Sequence, residues 1–111
     1  MGTMSNELEK QKCKPCEGGV APLSEADINT LLKKLTNWEH VSGEIIKQFT
    51  FKTYAQTIGF VNAVAWIAEQ EGHHPDLEVG YNRCKVRYST HAIKGLSEND
   101  FICAAKIDAL F

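Results

Sequence analysis

The sequence predicts an α+β fold, a four-stranded antiparallel sheet with three helices packed on one face, in the order helix-strand-strand-helix-strand-strand-helix. Three observations lead there. Apolar residues recur at helical spacing in three separate stretches. Two pairs of alternating segments lie between those stretches, each pair joined by a short turn signal. The chain is 111 residues long with 43% hydrophobic residues, enough for a single core and too short for a second catalytic domain.

Residues 1–22 are polar and contain Glu17-Gly18-Gly19, with no helix or strand periodicity. They read as a flexible N-terminal arm, and residues 23–111 as the folded domain. Ser24 is a helix N-cap, Glu25 and Asp27 occupy the first turn, and Ile28, Leu31, Leu32 and Leu35 form the apolar face before Thr36-Asn37 ends the helix. Residues 38–41 and 44–51 alternate as two strands around Ser42-Gly43, a hairpin signal. Thr53 caps a long helix that Gly72 terminates. Its residues Tyr54, Ile58, Val61, Ala65 and Ala68 make one stripe, and Phe60, Val64 and Ile67 a second. Two stripes exceed what one sheet face covers, so this helix, residues 53–71, is expected to join copies of the chain as a homodimer or homotetramer. A second hairpin follows, with Leu77, Val79 and Tyr81 on one strand, Cys84, Val86 and Tyr88 on the other, and the turn near Asn82-Arg83. Ser97-Glu98-Asn99-Asp100 reads as a capping box, with Leu96 and Phe101 as its staple, opening a last helix towards Phe111.

Composition excludes several classes. A net charge of -2 with only Arg83 and Arg87 as arginines offers no basic surface for direct nucleic-acid binding. No apolar run is long enough for a bilayer, and the first residues lack the apolar core of a signal peptide, so a cytoplasmic protein without membrane contact is expected. Cys13-Lys14-Pro15-Cys16 has zinc or redox spacing, but Cys84 and Cys103 are not a second ligand pair, and the motif sits in the arm rather than between a strand and a helix. Removing residues 1–20 is therefore expected to leave any activity intact.

The chemistry concentrates in Glu69-x3-His73-His74-Pro75-x5-Tyr81-x9-His91-x8-Asp100. Glu69 is placed to orient His73 from the preceding helical turn, Pro75 pushes His74 towards an extended backbone, and His91 follows the last strand. Taken singly, these residues have ordinary readings: a histidine at a helix end is a cap, Asp100 is a capping residue, and Tyr81 is a strand residue. Three histidines at the ends of converging elements instead describe a site that takes and returns protons near neutral pH. Adjacent side chains in an extended turn diverge, which argues against a zinc hydrolase using His73, His74 and His91.

This pattern, with Ser89-Thr90-His91 and Gly95-Leu96-Ser97, resembles the signature of the pterin-4a-carbinolamine dehydratases over residues 23–111, with no departure at a signature position. The resemblance implies a hydro-lyase that dehydrates 4a-hydroxytetrahydrobiopterin or a related 4a-hydroxytetrahydropterin to the quinonoid dihydropterin, linked to an aromatic amino acid hydroxylase, with no cofactor and no metal. It implies His73 and His91 as the acid/base pair, His74 as the residue that orients the pterin, and Glu69 and Asp100 as supports. Pro75, Thr90, His91, Ala92 and Ile93 would join His73 and His74 in the pterin cradle. Relatives that act as dimerisation cofactors of a transcription factor imply an alternative, a protein-binding role for the long central helix.

Overall fold

A computed structural model describes residues 8–15 and 21–111. The elements are α1 (Glu25–Leu32), β1 (Glu39–Val41), β2 (Glu44–Thr50), α2 (Tyr54–Glu71), β3 (Asp76–Val79), β4 (Arg83–Tyr88) and α3 (Glu98–Asp108), with a 3₁₀ turn at His91–Ile93. The helix and strand order is the predicted one. The sheet runs β1-β2-β4-β3 with every pair antiparallel, so the two hairpins meet along β2 and β4.

Strand alternation decides which face the helices cover. Ile45 and Phe49 of β2 and Cys84, Val86 and Tyr88 of β4 are buried, and they form one core with Ile28 of α1, Phe60 and Val64 of α2 and Phe101 to Ala105 of α3. The opposite face is charged: Arg87 bridges Glu78 of β3 at 2.7 Å and Glu44 of β2 at 3.3 Å. Ser42 and Gly43 both have positive φ, the backbone that lets a two-residue hairpin follow the strand twist. At the far end of the core, Trp38 Nε1 and Lys47 Nζ both donate to Asp108, tying the first hairpin to the end of α3.

The caps follow the sequence. Ser24 Oγ accepts from the Asp27 amide and Thr53 Oγ1 from the Gln56 amide. Gly72 takes the left-handed conformation that ends α2, φ 64°.

Four expectations need correction. The stripe assigned to a partner helix is core: Phe60 and Val64 are buried and Ile67 packs against them. The face of α2 left to solvent carries Tyr54 and Trp66, 55% and 65% exposed. The inward side was misassigned because both stripes are apolar, and spacing alone does not say which one meets the sheet. Tyr81 is not in a strand; the hairpin turns at Tyr81-Asn82, closed by Gly80 N–H donating to Arg83 O, and the Tyr81 ring stacks on Tyr54 at 6.3 Å. α1 and α3 stop at Leu32 and Asp108, short of Leu35 and Phe111. Lastly, residues 8–15 of the arm are docked: Leu8 is buried in the core, and Lys106 Nζ donates to Glu9 O at 2.7 Å. Cys16 and the rest of the arm before residue 21 lie outside the described residues.

Candidate active site

The C-terminal end of α2, the strand-end segment after β4 and the first turn of α3 converge on one cleft of about 530 Å³, a size suited to a small ligand. His73, His74, Thr90, His91 and Ala92 line it, together with Gly72, Ser89, Asn99 and the arm residues Cys13 to Pro15.

His73 is the most constrained of the three histidines. The left-handed Gly72 reverses the chain, and the His73 amide donates back to Ala68 O at 3.1 Å. Its ring lies almost parallel to that of Tyr88, with centroids 5.3 Å apart, while the Tyr88 hydroxyl donates to the His73 carbonyl at 3.2 Å. Nε2 donates to Asp100 Oδ1 at 2.6 Å, so Nδ1 is the nitrogen that Asp100 leaves free.

Asp100 is wholly buried, and a carboxylate there is tolerable only if its oxygens are satisfied. Oδ2 accepts from Thr90 Oγ1 at 2.8 Å and from the Ser97 amide at 3.0 Å. The Ser97 hydroxyl in turn meets Thr90 Oγ1 at 2.7 Å. The capping residue and the histidine's partner are therefore the same side chain. Burial alone would pull the His73 imidazole below its ordinary value, but the hydrogen bond and charge of Asp100, with a smaller contribution from Cys103, outweigh it and leave the value raised.

The sequence expected Glu69 to orient His73. Glu69 instead points to His74, 3.5 Å from Nε2, with both side chains largely in solvent, a pairing of little energetic weight. His74 therefore pairs with Glu69 in solvent, while Asp100 holds His73. His91 begins the 3₁₀ turn, exposed, and Lys94 closes that turn with a left-handed backbone at φ 55°. Of the expected cradle, Thr90, His91 and Ala92 line the cleft; Pro75 and Ile93 are not among its lining residues, and Ile93 is buried. Tyr81 sits on the exposed hairpin, outside the lining. Among the described residues, no group of three or more histidine, cysteine or acidic side chains is disposed to hold a metal ion.

Sequence reasoning missed the contacts that satisfy Asp100 beside His73, and it missed the arm. The Ser97 amide and the Thr90 hydroxyl share Asp100, although the capping box had already placed Ser97 and Asp100 together. The arm was missed because its contacts to Glu71 and Asn99 are made through backbone groups, which leave no mark in a sequence.

The arrangement provides a buried carboxylate–imidazole pair at His73, a second, solvent-facing imidazole at His74 and a third at His91 on the turn after β4, around one small cleft. Comparison with known proteins bears on the family of the chain. The family model described as pterin 4 alpha carbinolamine dehydratase matches residues 21–110. A Nitrosospira multiformis protein, named as a candidate pterin-4-alpha-carbinolamine dehydratase, is 58% identical over 111 residues, covering 100% of this chain and 98% of its own. A Legionella pneumophila protein of the same name is 54% identical over 110 residues, covering 96% and 97%. The crystal structure of a Brucella melitensis transcriptional coactivator/pterin dehydratase superposes with a TM-score of 0.78 at 34% identity, covering 80% of this chain and 97% of that one. A pterin dehydratase-like protein described as a RuBisCO assembly factor of the alpha-carboxysome gives a TM-score of 0.57 at 27% identity, covering 68% and 88%.

Proposed function

The chain belongs to the pterin 4 alpha carbinolamine dehydratase family, and from that premise we propose that it is a hydro-lyase removing water from a 4a-hydroxytetrahydropterin through His73 and His91. The observation that carries this reading is the 2.6 Å contact of His73 with a carboxylate that has no exposure to solvent. A histidine so held keeps its proton to a higher pH than a free one, while its Nδ1 remains available.

Dehydration needs a proton delivered to the departing 4a hydroxyl and another withdrawn from N5. Imidazolium at His73 donates from Nδ1 as the C4a–O bond breaks, and Asp100 offsets the positive charge beforehand. His91, on the exposed turn, takes the N5 proton, and the N5–H electron pair becomes the N5=C4a bond of the quinonoid product. One water leaves, and the two histidines return to their starting states by exchange with solvent. His74 and the Thr90–Ala92 backbone hold the ring system, with Glu69 steadying His74 only weakly. No metal or cofactor enters these steps. The physiological setting is recycling of the pterin used by an aromatic amino acid hydroxylase.

The test is the rate of carbinolamine loss, generated in situ by a hydroxylase, with and without the protein. Rates that match at every protein concentration refute the proposal.

A second reading concerns α2. Tyr54 and Trp66 leave aromatic surface in solvent on one helix, and the Brucella relative is described as a coactivator as well as a dehydratase. Self-association, or binding of a protein partner, through that face fits these residues rather than Phe60 and Val64. Sedimentation of a Trp66→Glu variant separates the possibilities: a lighter particle supports assembly through α2, and an unchanged one removes it.

A further inference from the structure

The family match begins at residue 21, yet Cys13, Lys14 and Pro15 line the same cleft as His73 and His91. Their placement is specific. Asn99, almost fully buried in the first turn of α3, reads the Lys14 backbone in both directions: Oδ1 accepts from the Lys14 amide at 3.0 Å, and Nδ2 donates to the Lys14 carbonyl at 2.6 Å. Glu71 Oε1 accepts from the Cys13 amide at 2.9 Å, and Lys106 lies 3.8 Å from Glu71 Oε2 while also holding Glu9 O. The Cys13 thiol meets Cys103 Sγ at 3.5 Å and reaches Asn99 O at 3.7 Å.

The clamping residues adjoin the chemistry. Asn99 immediately precedes Asp100, and Glu71 lies two residues before His73. Without the arm, a polar amide and a carboxylate would face the cleft with unsatisfied groups, which favours filling it with water. With the arm in place, those groups are consumed by backbone, and the surface offered instead is the Cys13 side chain and the Pro15 ring. Contact with Cys103, together with burial, raises the Cys13 thiol well above its ordinary value, so this surface is uncharged.

We propose that residues 13–15 are a built-in wall of the pterin pocket, and that Asn99 and Glu71 are positioning residues which bind the wall rather than the substrate. This rests on the dehydratase reading. The wall gives the planar ring system an apolar surface to lie against, so its loss weakens pterin binding while leaving the proton transfers by His73 and His91 in place.

The experiment uses the full chain with Lys14→Pro, which deletes the amide that Asn99 accepts from at an exposed position, with Asn99→Leu, and with both. Affinity is read by fluorescence titration with biopterin, an oxidised pterin without the 4a hydroxyl, alongside KM and kcat for carbinolamine loss. Each single variant should raise Kd and KM roughly 5–30-fold, the effect of one or two lost hydrogen bonds, with kcat within about threefold of wild type. The double variant should be no worse than the stronger single one, because both break the same contact. If Asn99→Leu fails to fold, Lys14→Pro alone decides. Unchanged Kd and KM in Lys14→Pro, or single losses that multiply in the double variant, overturn the wall. Turnover by wild type with unaffected variants sinks the wall alone. Clamp-dependent biopterin binding without turnover sinks the dehydratase reading and leaves the wall standing.

Discussion

Replacing Asp100 by Asn tests the centre of the site with the loss of one charge and almost no change of shape. Asp100 accepts from three donors, His73 Nε2 at 2.6 Å, Thr90 Oγ1 at 2.8 Å and the Ser97 amide at 3.0 Å. An amide cannot serve all three. With its oxygen towards His73, its NH₂ confronts the Ser97 N–H, which is left buried and unpaired, a loss of about 1–3 kcal/mol. With its oxygen towards Ser97, the NH₂ faces His73 Nε2, which must then be an acceptor, so imidazolium is forbidden. In either orientation the His73 titration should fall below the free-histidine value of about 6.5, because burial now acts without the compensating charge. Adding the weakened cap, the variant should lose about 2–4 kcal/mol of stability. Its kcat near pH 7 should fall roughly 10²-fold, the low end for general acid–base catalysis, since the imidazole itself remains. Urea unfolding, the NMR titration of the His73 Cε1 proton and carbinolamine loss supply the three readings. A His73 midpoint at or above the wild-type one, with kcat intact, would refute the assignment of Asp100 as the group that sets the charge of His73.

Other outcomes follow from the same geometry. His73→Ala and His91→Ala should each slow dehydration by ~10²–10⁴-fold, down to the spontaneous rate, and their double variant should fall well short of the product; wild-type turnover in either removes that residue from the mechanism. Because His73 is raised on folding, its pairing with Asp100 stabilises the protein fully below the unfolded value and is lost as pH rises through the folded one. The stability gap between wild type and His73→Gln should therefore be wider at pH 5.5 than at pH 9, and a gap that widens with pH contradicts the pairing. Phe60→Asp should unfold the protein, since Phe60 is buried among Phe49 and Phe51; a folded, smaller particle would restore the interface reading of that stripe. Gly95→Ala should cost about 1–3 kcal/mol in urea unfolding, because a Cβ there falls 2.8 Å from Pro22 Cβ, and a neutral effect would mean that Pro22 yields freely. Exhaustive chelation should leave turnover unchanged, and a loss restored by one metal ion would replace the proton-transfer scheme.

The architecture was legible because period and punctuation agreed: Ser24, Thr53 and Gly72 cap as their chemistry dictates, and Ser42-Gly43 turns the first hairpin. The facing of α2 was not, since Tyr54 and Ile58 are as apolar as Phe60 and Val64, while Val61 and Ile67, one from each stripe, both pack half-buried against the core. Within the site, the histidines and Asp100 could be named from their spacing. Which carboxylate serves His73 could not: Glu69 is the near choice along the helix, whereas the sheet and α3 bring Asp100 from twenty-seven residues away. The arm was the least legible part, as Cys13 and Lys14 are held by their peptide groups, which every residue except proline possesses alike.

Asp100 caps the start of the last helix through Oδ2 and holds His73 through Oδ1 of the same carboxylate. Fraying of that one helical turn therefore disarms the protein while the sheet is still intact. On gentle heating, inactivation should run ahead of the loss of tertiary signal from Trp38, which is anchored to Asp108 near the helix's other end. A pterin that binds only the armed form would delay inactivation by stabilising the first turn of α3, so protection by ligand would report on the helix start as directly as on the cleft.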